Sequence, residues 1–131
     1  MGTISPESAI QLGSWTVTEE LARQYLAAVE DSQPAYFDHR LFPPLALSAY
    51  ALGALLAKLA LAPGAIHSLQ EIATVRSVGF GDRITGVAQL ERPRQRGGLE
   101  FITVSYILTN AAGAPVQTGK ATVLAPVRGG A

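Results

Sequence analysis

The chain of 131 residues has no cysteine. Disulfides, zinc–thiolate centres and cysteine nucleophiles are thereby excluded. Its two histidines, His39 and His67, stand far apart among scattered carboxylates, without the spacing of a metal site. Charge is also sparse, at 15% of residues, and ten basic side chains balance ten acidic ones. Such a chain carries no electrostatic footprint for nucleic acid or an anionic membrane surface. Residues 1–14 lack the basic start and apolar run of a signal peptide, so the expected setting is soluble and cytoplasmic. No repeat, low-complexity segment or linker divides the sequence. A single domain over 1–131 is expected, with 1–13 and 126–131 loosely held. What is plentiful is apolar surface: 48% of residues are hydrophobic. That supplies a sizeable core and, with zero net charge, favours an oligomer.

The longest apolar run, Leu45 to Leu61 (LALSAYALGALLAKLAL), has Lys58 as its only charge. Pro43 and Pro44 precede it, and Pro63 and Gly64 stop it. Proline suits a first helical turn, where its missing N–H has no helical partner. Leu and Ala fill most of the interior and are strong helix formers. A membrane span needs ~20 apolar residues, and no second span follows. The run therefore predicts a core helix, apolar on nearly every side and buried in protein.

Around this helix the remaining elements are legible in outline. Ser14 to Val17 predicts a short strand. Thr18 is placed as an N-cap, with Glu19 and Glu20 in a first turn that favours carboxylates. Leu21, Tyr25, Ala28 and Val29 continue at helical spacing to about Glu30 or Asp31. Residues 31–44 (DSQPAYFDHRLFPP) form an irregular connection, because Pro34, Pro43 and Pro44 each keep the preceding residue out of the helical region. Its Tyr36, Phe37, Leu41 and Phe42 imply that it packs on the body. Strands are expected at Ala65–Val75, Ile84–Leu90, Leu99–Thr109 and Val116–Val123. They are linked by RSVGFGDR, by ERPRQRGG with its Gly-Gly hairpin signal, and by Asn110–Pro115. The expectation is an α+β layer: an antiparallel meander curled around one long helix, with a short N-terminal helix.

This order, with the segments TVTEELARQYLAAVEDSQPAYFD, LFPPLALSAYAL, IHSLQEIATVRSVGFGDRIT and GLEFITVSYILTNAAGAPVQTGKATVLAP, resembles the hot-dog fold. More narrowly, it resembles the MaoC-like hydratase and dehydratase superfamily in its FAS1-like dehydratase variant. In active members of that superfamily the loop before the helix reads D-x-N-P-x-H-x-D, and its Asp and His carry the acid–base work of hydration. The resemblance maps the Asp onto Asp31, the Asn onto Gln33 and the His onto Tyr36. It makes Asp31, Tyr36 and His67 the candidate catalytic groups, His67 and Gln70 being the H-x-x-Q pair of the next strand. It makes Gln33, Leu45, Gln70 and Arg94 candidate substrate contacts. Adding water to a 2-enoyl thioester needs a base, an acid at the α-carbon and donors for the thioester oxygen. A helix N-terminus offers such donors. Pro44 falls where the family has Gly and has no N–H, which leaves Leu45 to donate.

A tyrosine, with a pKa near ~10, is a weak base at neutral pH, though a fair donor. Asp38 and His39 are read as solvated loop residues, and Asp82 as fixing its own turn. Arg92, Arg94 and Arg96 form either a solvated hairpin end or a site for the phosphates of coenzyme A or the acidic surface of acyl carrier protein. The resemblance implies no metal and no cofactor beyond the carrier of the substrate. It implies a homodimer or a heterodimer with another hot-dog subunit. Three functions follow: hydration and dehydration of 2-enoyl and 3-hydroxyacyl thioesters; a non-catalytic subunit shaping the acyl pocket of a partner; or thioester hydrolysis.

Overall fold

The computed structural model describes residues 9–59, 65–91 and 93–127, without the side chains of residues 67–69. Its elements, in order, are β1 (Ala9–Thr16), α1 (Glu19–Ala28), α2 (Ala35–Asp38), α3 (Pro44–Leu59), β2 (Ile66–Thr74), β3 (Arg83–Leu90), β4 (Arg94–Arg96), β5 (Leu99–Thr109) and β6 (Pro115–Pro126). The six strands form one antiparallel sheet in the order β1-β3-β5-β6-β2, with β4 paired to the start of β5.

Several elements follow directly from local chemistry. The Thr18 hydroxyl accepts from Leu21 N at 3.1 Å and caps α1, a contact worth ~1 kcal/mol. In β5, Val104, Tyr106 and Leu108 are buried while their neighbours are less so, the period of a strand with one covered face. Gly97 and Gly98, at φ 58° and 78°, join Arg96 to its partner Leu99. Positive φ at both central residues is what a tight two-residue hairpin turn demands.

The core lies between the inner sheet face and α3, where Phe42, Ala46, Leu47, Ala51 and Leu55 meet Ile84, Ala88, Val104, Tyr106 and Leu108. Only one side of α3 is covered. Leu45 is 60% exposed, and Ala49, Gly53, Ala57 and Lys58 also face outward. One curved layer of sheet can bury one face of a rod, so the predicted all-round burial is not completed within a single chain.

Five further expectations are corrected. The first strand begins at Ala9, inside the segment expected to be loose. It pairs with β3 from Ala9↔Gln89 to Thr16↔Arg83, with an irregularity between Gln11 and Gly13 that breaks the simple alternation. The strands are not a sequential meander: β2 pairs with β6, and residues 75–82 carry the chain across to β3. The connection 31–44 holds one helical turn, α2. The arginine hairpin forms a strand, β4. The last strand runs to Pro126, and Val127 N donates to Gly98 O at 3.1 Å, so the expected loose tail is held at least to 127. Residues 1–8, 60–64, 92 and 128–131 lie outside the described residues, Arg92, Pro63 and Gly64 among them. No described helix is long and apolar enough to cross a membrane.

Candidate functional site

The polar bend ahead of α3 is built from two matching helix ends. At the end of α1, Glu30 takes φ 57°, Glu30 N donates to Ala27 O and Asp31 N to Leu26 O at 2.9 Å. This is a Schellman closure with glutamate in the left-handed position. At the end of α2, Arg40 takes φ 53°, Arg40 N donates to Phe37 O and Leu41 N to Tyr36 O at 2.8 Å. The same closure is repeated with arginine. Between them, Asp31 Oδ1 accepts from Gln33 N at 2.9 Å, a turn of the kind Asp side chains make on their own backbone.

The bend is pinned to the VGFGD loop. Phe42 N donates to Val78 O at 2.7 Å, Phe80 N donates to Arg40 O at 3.0 Å, and Leu41 bridges to Gly79. The Phe37 and Phe80 rings sit 6.0 Å apart. The Arg23 guanidinium lies over Phe37 at 4.6 Å and that of Arg40 over Phe80 at 5.7 Å. Asp82 holds the other loop as expected, with Oδ2 accepting from Gly79 N at 2.9 Å. The bend is thus an ordered part of the body.

Within it, Asp31 and Tyr36 are both half-buried, and both act electrostatically on Tyr25 of α1. The Tyr25 phenol is raised above 10.0, first by burial, then by Tyr36 and the Asp31 carboxylate beside it. One carboxylate and two phenols thus share the electrostatic surroundings of Tyr25. Asp38 and His39 are exposed, as expected. The Gln33 side chain is exposed, and its contribution to the bend is its N–H.

The bend leads into the first turn of α3. Pro43 is buried and Pro44 exposed. Ala46 N and Leu47 N both turn back to Pro43 O, at 3.0 and 3.4 Å. Leu45 N–H has no acceptor among the described residues, leaving one free donor at this end of the helix. On the sheet side, Gln117 Nε2 donates to Pro44 O at 2.9 Å, and Tyr106 Oη donates to Gln117 Oε1 at 3.1 Å. Gln70 lies on the same inner face. It interacts with the Tyr106 phenol, drawing its pKa back from the rise that burial causes, while its buried Nε2 has no hydrogen-bond partner among the described residues.

The predicted residues therefore divide. Asp31, Tyr36 and the Leu45 N–H occupy the bend and the start of α3, with Gln70 on the wall behind. The backbone of His67 pairs with Val123, and its side chain is outside the described residues. Arg94 pairs with Phe101, five residues along β5 from Tyr106, or ~16 Å at ~3.3 Å per residue. In a single chain it stands at the far end of the sheet from the bend. Sequence reasoning missed Tyr25, Tyr106 and Gln117 as site residues. Tyr25 reads as part of a helix stripe. Gln117 gives a signal only once its inward position on β6 is known.

A curved antiparallel sheet laid over one helix, with a polar bend before the helix, is the hot-dog architecture of MaoC-like hydratases and dehydratases. The chain belongs to the family described as the FAS1-like dehydratase domain region, whose model matches residues 8–119. Among curated proteins, a UPF0336 protein of Saccharopolyspora erythraea is 37% identical over 60 residues, 46% of this chain and 38% of that protein's length. Among solved structures, the (R)-hydratase from A. caviae involved in PHA biosynthesis aligns with a TM-score of 0.71 at 21% identity, covering 90% of this chain and 94% of that one. The C-terminally truncated HadBC (3R-hydroxyacyl-ACP dehydratase) complex of Mycobacterium tuberculosis aligns with a TM-score of 0.74 at 18% identity, covering 88% and 93%. At these identities the two structures establish the fold.

Proposed function

We propose that this protein is a cytoplasmic subunit of a two-hot-dog dehydratase, acting on 3-hydroxyacyl and 2-enoyl thioesters carried by coenzyme A or acyl carrier protein. The observation that carries this reading is the composition of the bend: Asp31 is present, but Tyr36 stands where the family's motif has its histidine. A carboxylate with two phenols supplies donors and one weak base. A neutral imidazole, the natural base near pH 7, is lacking from that position. The Leu45 N–H offers a donor for the thioester oxygen, and Tyr25, held neutral by its surroundings, remains a donor through the neutral range.

The uncovered surface supports a partner. The edge strand β2 exposes Ile66 at 62% and Ile72 at 37%, with Val75 just beyond it at 54%. An edge strand with apolar side chains and open backbone groups is a pairing surface. The HadBC neighbour is itself described as a complex. A second hot-dog subunit laid along β2 and α3 would bury this surface and supply the missing base.

The test is hydration of crotonyl-CoA by the purified chain, alone and co-expressed with a second hot-dog subunit. Little turnover alone and clear turnover in the complex is the expected result. Tyr36→His is expected to raise turnover of the chain alone by at least ~100-fold, the low end of the usual range for a placed base. Full turnover by the chain alone, unchanged by Asp31→Ala, would sink the reading.

A further inference from the structure

The hydrogen bond from Gln117 to Pro44 O acts on one particular peptide unit. The carbonyl of Pro44 and the N–H of Leu45 belong to the same planar group, and in a trans peptide they point in opposite directions. No peptide among the described residues is cis. Gln117 is fully buried on the sheet side and grips the carbonyl at 2.9 Å, so the N–H is directed away from the sheet, where Leu45 is exposed. A donor on the carbonyl also polarises the amide and strengthens its N–H, as along any chain of hydrogen bonds.

The grip has its own support. A glutamine amide can present either oxygen or nitrogen to Pro44 O, and only nitrogen can donate. The Tyr106 hydroxyl, donating to Gln117 Oε1 at 3.1 Å, fixes which way the amide faces. Tyr106 is fully buried, and Gly119 leaves room for its ring, since a Cβ at 119 would overlap it. The Tyr106 oxygen keeps acceptor capacity on the side where Gln70, with its unbonded Nε2, lies.

We infer that Gln117 and Tyr106 are positioning residues for the dehydratase reaction. Through the Pro44–Leu45 peptide they aim and strengthen the one free N–H at the start of α3, toward the oxygen of the bound thioester. The inference rests on the function proposed above, because it needs a thioester carbonyl at that N–H. It adds two residues that touch no substrate and act from behind the helix.

The test uses Tyr106→Phe, which removes one oxygen and little volume, and Gln117→Glu, each in the full chain with its hot-dog partner. Two readouts are needed. The first is the Leu45 amide resonance and its hydrogen exchange. Both variants are expected to shift that resonance upfield and to slow its base-catalysed exchange several-fold, because the unbonded amide is the weaker acid. The second is turnover of crotonyl-CoA, with kcat expected to fall about tenfold and KM to stay within about twofold, as for loss of an interaction made in the transition state. Gln117→Glu adds a signature that packing loss would not give. Its carboxyl can donate to Pro44 O only when protonated, so kcat should recover toward low pH in a step absent from the wild type. A Leu45 amide unchanged in Tyr106→Phe overturns the inference whatever the activity. If Gln117→Glu does not fold, Tyr106→Phe decides alone. A wild-type complex that does not bind crotonyl-CoA, with the Leu45 amide still sensitive to Tyr106, overturns the proposed function and the positioning role with it, while leaving the hydrogen-bond chain intact as structure.

Discussion

Asp31 and Gln33 are locked together: the aspartate's Oδ1 accepts the glutamine's backbone N–H at 2.9 Å. The residue that the family motif assigns to acid–base work also shapes the loop on which it sits. One carboxylate oxygen is engaged in the turn, and the carboxylate also acts electrostatically on Tyr25.

This double duty can be separated by substitution. Asp31→Asn keeps an acceptor for Gln33 N, whereas Asp31→Ala does not. Urea unfolding should show Asn near wild type and Ala destabilised by about 0.5–1 kcal/mol, the scale of one partly exposed hydrogen bond. Both variants should lose hydration activity in the two-subunit complex. An active Asn variant would reduce Asp31 to a loop residue.

The two Schellman closures predict unequal responses to glycine. A left-handed L-residue costs about 1–2 kcal/mol, and glycine gives back about 0.5–1 in unfolded-state freedom. Glu30→Gly should therefore stabilise the fold by about 0.5–1 kcal/mol. Arg40→Gly should be close to neutral, because it also removes the guanidinium that sits 5.7 Å over the Phe80 ring. Thermal melts of the two variants side by side check the difference.

Gly119 predicts the reverse. A methyl group there meets the Tyr106 ring, which is buried and cannot withdraw without disturbing Gln117. Gly119→Ala should cost about 1–3 kcal/mol by overpacking. Gly119→Ala combined with Tyr106→Leu should recover part of that loss, since the obstructing ring is gone. Chemical denaturation of the single and double variants measures the coupling.

Alkaline stability follows from the two raised phenols. Tyr25 and Tyr106 titrate above 10.0 in the folded chain, burial being the main cause for each; Gln70 moderates Tyr106, and Tyr36 and Asp31 reinforce Tyr25. The unfolded chain then loses these protons first. Their contribution is complete below pH 10.0 and is lost as pH rises from there through the folded-state values. Denaturant midpoints should fall above pH 10.0, and Tyr25→Phe should flatten that fall. An equal fall in Tyr25→Phe would remove Tyr25 from the explanation.

How much was legible before any coordinates depended on how local the deciding chemistry was. The bounds expected for β5, Leu99 to Thr109, are those observed, because β-branched and aromatic residues crowd it between two turn signals. Thr18 declared the start of α1 by its own side chain. The place of β2 beside β6 was not legible: VRSVGFGD looks like a hairpin loop, yet its carbonyls and N–H groups are tied to Val17, Arg40 and Phe42, contacts distant in sequence. The closures at Glu30 and Arg40 carry no glycine to announce them. Within the candidate site, Asp31 and Tyr36 were named through the motif they match, and both lie in the bend. Gln117 was passed over because its weight comes from a bond to Pro44, 73 positions away.

The Gly97–Gly98 turn is exposed and closes the sheet at the end opposite the bend. A fluorophore or short affinity peptide grafted there would ride on the hairpin tip, remote from the Leu45 amide. That makes it a convenient handle for watching a second subunit dock or for immobilising the protein with the bend facing the solution.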